Sequence, residues 1–440
     1  MRTPDVSVGI IMGRTELRFT LSGIYSAAGM DVVTGAQTVR LSDGGMGVVW
    51  NGSVYPELCF TPSSYDGDSF ELEGVTIGVN FHWERKENQR FRGSLRIIVE
   101  NGTLTAVNIL GVEDYLVSVI SSEMRSTSSP ALLRAHAVIS RSWLLAQMEN
   151  SNRGVRRSVI TASGRGDEIV RWWDHDDHLN YDVCADDHCQ RYQGIDRVES
   201  SAAAAAVTDT RGQVLTHGGQ LCDARFSKCC GGVMEIFSTC WDDTDKPYLA
   251  ARRDSAASRD FPDLTIEAEA EKWINGNPDA YCRCSDPRIL RQVLNGYDRE
   301  DTDFYRWEVE YTGEQLRGLV EKRLERSIGD IMALRPLRRG PSGRIYSLLI
   351  EGSEGSVTIG KELMVRRVLS DTHLKSSAFT VTASDIDSRG IPGRFRLRGA
   401  GWGHGVGLCQ IGAAVMGELG MDYRTILAHY YPGAEITTLY

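Results

Sequence analysis

The stretch that decides the fold runs from residue 94 to residue 124, SLRIIVENGTLTAVNILGVEDYLVSVISSEM. Ser94-Leu95-Arg96-Ile97-Ile98-Val99, the turn Asn101-Gly102 and Leu104-Thr105-Ala106-Val107-Asn108-Ile109 predict a β-hairpin, because two apolar-rich runs joined by Asn-Gly suit a tight turn with positive φ. The hairpin feeds a helix on which Val112, Tyr115, Leu116, Val119 and Ile120 recur at i, i+3, i+4, i+7 and i+8, the apolar stripe of an amphipathic helix. Glu123 continues the stripe, four residues after Val119 and seven after Leu116. A carboxyl there projects from the buried side, where desolvation penalises its charged form and keeps an acid protonated near neutral pH. Glu123 is therefore a candidate catalytic acid, and the alternative is a buried glutamate paired with Arg141 for structure alone.

Downstream, Ser129 and Pro130 make an N-cap and N1 pair for a second helix through about Met148, with Arg134, Ala137, Val138, Arg141 and Leu145 on one face. A direct Glu123–Arg141 pair would lower the pKa of Glu123 and oppose general-acid use, so Arg141 is better cast as a substrate-orienting group or a tuned neighbour. Upstream, residues from about 5 to 110 read as short alternating strands broken by turns such as Asp43-Gly44-Gly45 and Asn51-Gly52. Residues 152 to 200 are polar and loop-rich; Ala202 to Ala206 lead into strand-like pieces around Gln213 and Ala224; and 256 to 385 turns charged and helix-prone. A Gly-rich turn from Arg398 to Gly407 precedes a final helix from about Leu408 to Glu418. The expected fold class is α+β: a β-rich N-terminal region over 1–94, a mixed core over 95–255, an inserted α+β region over 256–389, and a closing part of the core over 390–440.

With 440 residues, 41% hydrophobic and 25% charged, disorder and fibre are excluded and about three packing units fit. A net charge of −10 without a basic run argues against nucleic acid. No stretch reaches the ~18 apolar residues of a membrane span. The start, Met1-Arg2-Thr3-Pro4-Asp5, enters the alternating Val6-Ser7-Val8 without the basic and apolar regions of a secretory signal, which implies either a cytosolic chain or a leader removed or misannotated.

The ten cysteines cluster instead of spreading as a disulfide frame, so local thiol chemistry, a metal or one short bridge is the better reading. His178, Cys184 and Cys189 fall within twelve residues, with His175 and His188 nearby. Cys2His suits zinc with a fourth partner open, against reduced thiols or a Cys184–Cys189 bridge. The turn around His404 satisfies no G-x-G-x-x-G register, so its glycines are read as permitting tight backbone that presents Trp402 and His404 at a cleft, or else as a buried turn. Neither G-x-S-x-G nor H-E-x-x-H occurs.

Three separated segments together resemble the sporulation stage II protein D / amidase enhancer (SpoIID/LytB) family of bacterial peptidoglycan proteins. Gly111-Val112-Glu113-Asp114-Tyr115-Leu116, Ser122-Glu123-Met124 and Ala135-His136-Ala137-Val138-Ile139-Ser140-Arg141 are similar to its "EDYL…EM…AQAVAAR" pattern. Phe226-Ser227-Lys228-Cys229-Cys230-Gly231-Gly232, with Glu235 and Trp241, is like "FSSCSGG…E…W". Gly401-Trp402-Gly403-His404-Gly405-Val406-Gly407-Leu408-Cys409-Gln410 and Tyr430-Tyr431-Pro432-Gly433 resemble its "GWGHGVGMSQ…YYPG" ending. Cys230 and Cys409 depart from that pattern, each standing where a serine is common, and the resemblance leaves 256 to 385 unexplained.

The resemblance implies a lytic transglycosylase that cleaves between N-acetylmuramic acid and N-acetylglucosamine in peptidoglycan glycan strands. Glu123 would be its acid, and Arg141, Ser227, Lys228, His404 and Gln410 its groove residues. Some members carry a loop zinc held by one His and two Cys, which implies His178, Cys184 and Cys189. Other members stimulate a partner N-acetylmuramoyl-L-alanine amidase without catalysis, the competing reading; a cytosolic zinc-dependent hydrolase is a third. The substrate implies a place in the cell envelope.

Overall fold

The computed structural model describes residues 3–78, 85–125, 127–152, 167–171, 178–186, 188–196, 201–257, 260–293 and 304–440. The hairpin forms as read: Ser94–Glu100 pairs antiparallel with Thr103–Gly111, and Glu100 faces Thr103 across Asn101 (φ 50°) and Gly102 (φ 71°). Positive φ at both central residues twists the turn to match the twist of its strands. Helix α1, Val112–Glu123, follows at once, with Val112, Tyr115, Leu116, Val119 and Ile120 buried. Helix α2, Pro130–Asn152, begins where Ser129 Oγ accepts from the Leu132 amide at 3.3 Å. A third helix, α3, occupies Ser201–Asp209, so the alanine run forms a helix of its own before the strand Gln213–His217.

The hairpin is central to an eleven-stranded sheet. Asp5–Arg14 pairs antiparallel with Thr103–Gly111, and Val183–Cys184 adds parallel to Asp5–Arg14. On the other side Ser94–Glu100 pairs with Leu58–Pro62, which leads to Glu16–Ala27 and the remaining front strands. Hydrogen bonding therefore runs continuously from the β-rich front into the strands that launch α1.

One large apolar cluster joins this sheet to α1, α2 and the C-terminal helices, from Val6 to Tyr431. A second cluster lies between Trp307 and Leu397. It is covered by two sheets: Ile331–Arg339, Ile345–Gly352, Gly355–Gly360 and Glu168–Val170 in one, and Arg306–Thr312, Pro392–Ala400 and Phe379–Ile386 in the other. The fold is α+β.

The C-terminal part differs in detail from the sequence reading. Leu408–Cys409 is a short strand, parallel to Phe226–Ser227, and the helix begins only at Gln410. A further helix, Tyr423–Tyr430, is capped by Asp422, whose carboxylate accepts from the Thr425 amide at 2.8 Å.

Candidate functional site

Glu123 is the last residue of α1, and Met124 leaves the helix in extended backbone. The apolar stripe reaches Glu123 in projection, but the helix ends there and no further turn covers it. Its side chain is half-buried, where the sequence reading places it on the buried side. It makes no hydrogen bond or ion pair among the described residues.

Arg141 does not serve Glu123. Its guanidinium forks onto Glu113, Nε to Oε1 at 2.9 Å and Nη2 to Oε2 at 2.7 Å, and Nη1 donates to the Gln213 carbonyl at 2.9 Å. With side-chain exposure of 0% it faces no groove, which corrects its expected role as a substrate-orienting group. Tyr440 Oη and the Gly212 amide also donate to Glu113, so this pair ties α1 and α2 to Tyr440.

The second and third segments interleave. Phe226–Ser227 runs parallel to Leu408–Cys409, Cys229 bridges antiparallel to Trp402, and Ile411 N–H donates to the Lys228 carbonyl at 3.1 Å. The crossing needs backbone that L side chains resist. Gly407 has φ 71°, and a Cβ there would run into the Arg225 carbonyl oxygen. Ser227 is buried with its Oγ lacking a hydrogen-bond partner among the described residues, whereas Lys228 and Trp402 are half-buried. Trp402 stacks on Phe304, with ring centroids 5.1 Å apart and planes 9° apart.

His404 packs edge-on against Trp241 at 5.0 Å, and its Nδ1 accepts from the Val406 amide at 3.0 Å. Burial, with Arg225 and Arg344 nearby, pushes its pKa down to about 3, so the ring is neutral at neutral pH. Gln410 is buried, its Nε2 3.1 Å from His136 Nε2, and His136 Nδ1 lies 3.2 Å from Ser140 Oγ. Burial, then the charge of Lys228, pushes His136 down to about 3 as well. Through this contact α2 holds the first residue of the helix Gln410–Glu418.

Two groups escape the sequence reading. Lys228 Nζ donates to the Val293 carbonyl at 2.7 Å, and the Gln292 carbonyl next to it accepts from Arg125 N–H at 3.1 Å and from Ser128 Oγ at 2.9 Å. Residues 292–293 thus link the segment after Glu123 to Lys228. Nothing in the 287–293 sequence marks it as a bridge. The other is Arg344, fully buried, which donates to the Gly403 carbonyl from Nη2 at 3.0 Å and to the Cys230 carbonyl at 3.1 Å. Beside it Glu235 accepts from Ser342 Oγ at 2.5 Å, and burial raises its pKa against those hydrogen bonds.

Two sets of side chains offer metal-ligating atoms within 4.8 Å of one another. In the first, Cys189 Sγ lies 3.4 Å from His178 Nε2 and 3.5 Å from His188 Nδ1, and Cys184 Sγ lies 4.0 Å from His188 Nδ1. Hydrogen bonds from Cys189, then from the two histidines, draw the Cys184 thiol below its ordinary pKa against desolvation. His188 is the fourth side chain of this set, and His175 lies outside the described residues. The second set is Cys230, Asp254, Cys282 and Cys409.

Residues 100–217 match the Stage II sporulation protein (SpoIID) family, and residues 235–407 match a domain of unknown function, DUF8618. The chain is 22% identical to Stage II sporulation protein D of Bacillus amyloliquefaciens over 336 residues, 76% of each chain. Over this region the chain is similar to the SpoIID/LytB family. It is also 25% identical to an uncharacterized protein of Brachyspira hyodysenteriae, over 84% of this chain and 74% of that one. A Bacillus subtilis amidase enhancer is 23% identical over 53% of this chain, and the match spans 32% of that protein. The SpoIID match takes in Glu123, Arg141 and the first metal-ligating set. Trp402 and His404 fall within the match to DUF8618, whereas Phe226–Ser227 lies between the two matched regions.

Proposed function

We propose that this SpoIID-like chain is a peptidoglycan lytic transglycosylase that cleaves the bond between N-acetylmuramic acid and N-acetylglucosamine in glycan strands, with Glu123 as its single acid and base. The observation that carries this reading is the state of Glu123: a half-buried carboxyl at a helix end, without a protein partner among the described residues, beside a segment tied through 292–293 to Lys228. Glu123 donates its proton to the glycosidic oxygen as the bond to the muramic anomeric carbon breaks. As carboxylate it then takes the proton from the muramic 6-hydroxyl, whose oxygen closes onto the anomeric carbon. The product is a 1,6-anhydro end, water does not attack, and a second carboxylate is not required. Lys228, Trp402 and the neutral His404 line the approach; Ser227 and Gln410 support it from below.

The set His178, Cys184, His188 and Cys189 fits zinc. Zinc–sulfur bonds of ~2.3 Å and zinc–nitrogen bonds of ~2.0–2.1 Å put tetrahedral neighbours about 3.5 Å apart, close to the separations here. Four protein ligands leave no open position, so the metal would be structural, holding the 178–189 loop against the sheet edge at Val183–Cys184.

Similarity to the SpoIID family supports a cell-wall role, and peptidoglycan lies outside the cytoplasmic membrane, so we place the chain in the cell envelope. No helix among the described residues is long and apolar enough to cross a membrane. The similarity to an amidase enhancer favours a second reading, a non-catalytic wall-binding partner of an amidase. Digestion of peptide-stripped glycan with and without added amidase, read by mass spectrometry, separates them. Anhydro-ended fragments from the chain alone support the transglycosylase; products formed only with the amidase support the enhancer.

A further inference from the structure

Cys230, Asp254, Cys282 and Cys409 lie on four separate stretches of chain, yet each turns a donor atom to one buried point. Cys230 Sγ is 3.5 Å from Cys282 Sγ and 3.5 Å from Asp254 Oδ2. A disulfide would need sulfurs ~2.05 Å apart, whereas ligands around a tetrahedral zinc stand roughly 3.5–3.8 Å apart given zinc–sulfur bonds of ~2.3 Å.

The surroundings suit thiolates and an oriented carboxylate. Cys230 N–H donates to Cys409 Sγ at 3.2 Å, and Gly232 N–H to Cys230 Sγ at 3.4 Å. Asp254 is held by Cys282 N–H at 3.1 Å on Oδ2 and by Tyr430 Oη at 2.8 Å on Oδ1. Such outer contacts orient metal ligands. Three thiolates and one carboxylate around a dication leave a net charge of about −2. Two guanidiniums stand close by to offset it: Arg344 Nη1 donates to the Cys230 carbonyl and Arg306 Nη1 to the Gly231 carbonyl, each at 3.1 Å.

The sequence supplies an independent reason. Cys230 and Cys409 both stand where the family pattern has serine, and Cys282 lies in the region the pattern leaves unexplained. Three cysteines that the pattern does not account for meet at one place in space.

We propose that Cys230, Asp254, Cys282 and Cys409 form a second, structural zinc centre. Zinc suits three soft sulfurs in a closed tetrahedral set. Binding displaces the three thiol protons to solvent and leaves three thiolates with the Asp254 carboxylate around the ion. The centre pins 254 and 282 beneath the strand pair Phe226–Ser227 and Leu408–Cys409, and so fixes the backbone that presents Lys228 and Trp402. Cys229, whose thiol touches those of Cys282 and Cys409, stands beside the centre as a neighbour.

The test uses the full chain with the first site removed by Cys184→Ser and Cys189→Ser, so that its outcome does not depend on zinc at that site. Elemental analysis is expected to give about one zinc per chain, and X-ray absorption a shell of three sulfurs and one oxygen. Adding Cys282→Ser is expected to abolish the zinc; should that variant fail to fold, the absorption spectrum of its parent still decides. Iron in place of zinc, a folded parent without metal, or a two-dalton mass loss marking a disulfide would overturn the proposal. A four-sulfur shell would move the fourth ligand to Cys229 and overturn the assignment of Asp254.

Discussion

Arg141 grips both carboxylate oxygens of Glu113, at 2.9 and 2.7 Å, and thereby leaves Glu123, ten residues further along the same helix, without a cationic partner among the described residues. Two glutamates on α1 thus have opposite fates: one is paired, the other carries the chemistry proposed above.

Breaking the buried pair from one side exposes the cost of an uncompensated charge. Arg141→Met and Glu113→Gln are each expected to destabilise the fold by about 3–5 kcal/mol, and the double variant by clearly less than their sum. Urea titration of the four proteins gives the coupling directly. A purely additive double variant would contradict the pairing.

Glu123→Gln is expected to leave stability within about 0.5 kcal/mol, because the side chain is half-buried and has no hydrogen bond or ion pair among the described residues to lose. Release of anhydro-ended glycan should fall by at least ~10²-fold. Thermal melting and product analysis on one preparation check both halves; unchanged turnover would remove Glu123 from the mechanism.

His136 is neutral in the fold because burial pushes its pKa down to about 3, against about 6.5 when unfolded. Between those values the unfolded chain binds a proton that the folded one does not. Stability should therefore be unaffected by this group above pH 6.5 and fall as pH drops from there to about 3, by about 1.4 kcal/mol per pH unit. His136→Gln, which restores the residue of the family pattern, should flatten that slope when denaturation is followed against pH.

Gly407→Ala is expected to destabilise the interleaved strands by more than the ~1 kcal/mol of a simple conformational penalty, since the added Cβ meets the Arg225 carbonyl at a positive φ. Hydrogen exchange at Leu408 N–H, which donates to that same carbonyl at 3.1 Å, should accelerate more than exchange in α1.

His188→Ala should weaken zinc retention at the first site while Cys184 and Cys189 remain. Competition with a chromophoric chelator reads the change, expected to be at least ~10-fold. Equal retention would exclude His188 as a ligand.

The residue pattern by itself determined the hairpin and α1, because Asn101-Gly102 and the 3.6-residue stripe are local signals read within a few turns of chain. It also put His178, Cys184, His188 and Cys189 in one window, since their proximity is mostly a matter of short spacing. The end of α1 was less legible: periodicity carries Glu123 along the buried stripe, but only packing decides where cover stops. Arg141 shows the same limit. Its inward face follows from helical spacing, but its choice of Glu113 over Glu123 depends on how α1 and α2 cross and on the carbonyl of Gln213. The contact of His136 with Gln410 spans 274 positions, and Cys230 meets Cys282 and Cys409 across 52 and 179. No local preference encodes such meetings. They arise because burying the apolar faces of separate segments in one core fixes which polar groups are carried in with them, and those groups then satisfy one another.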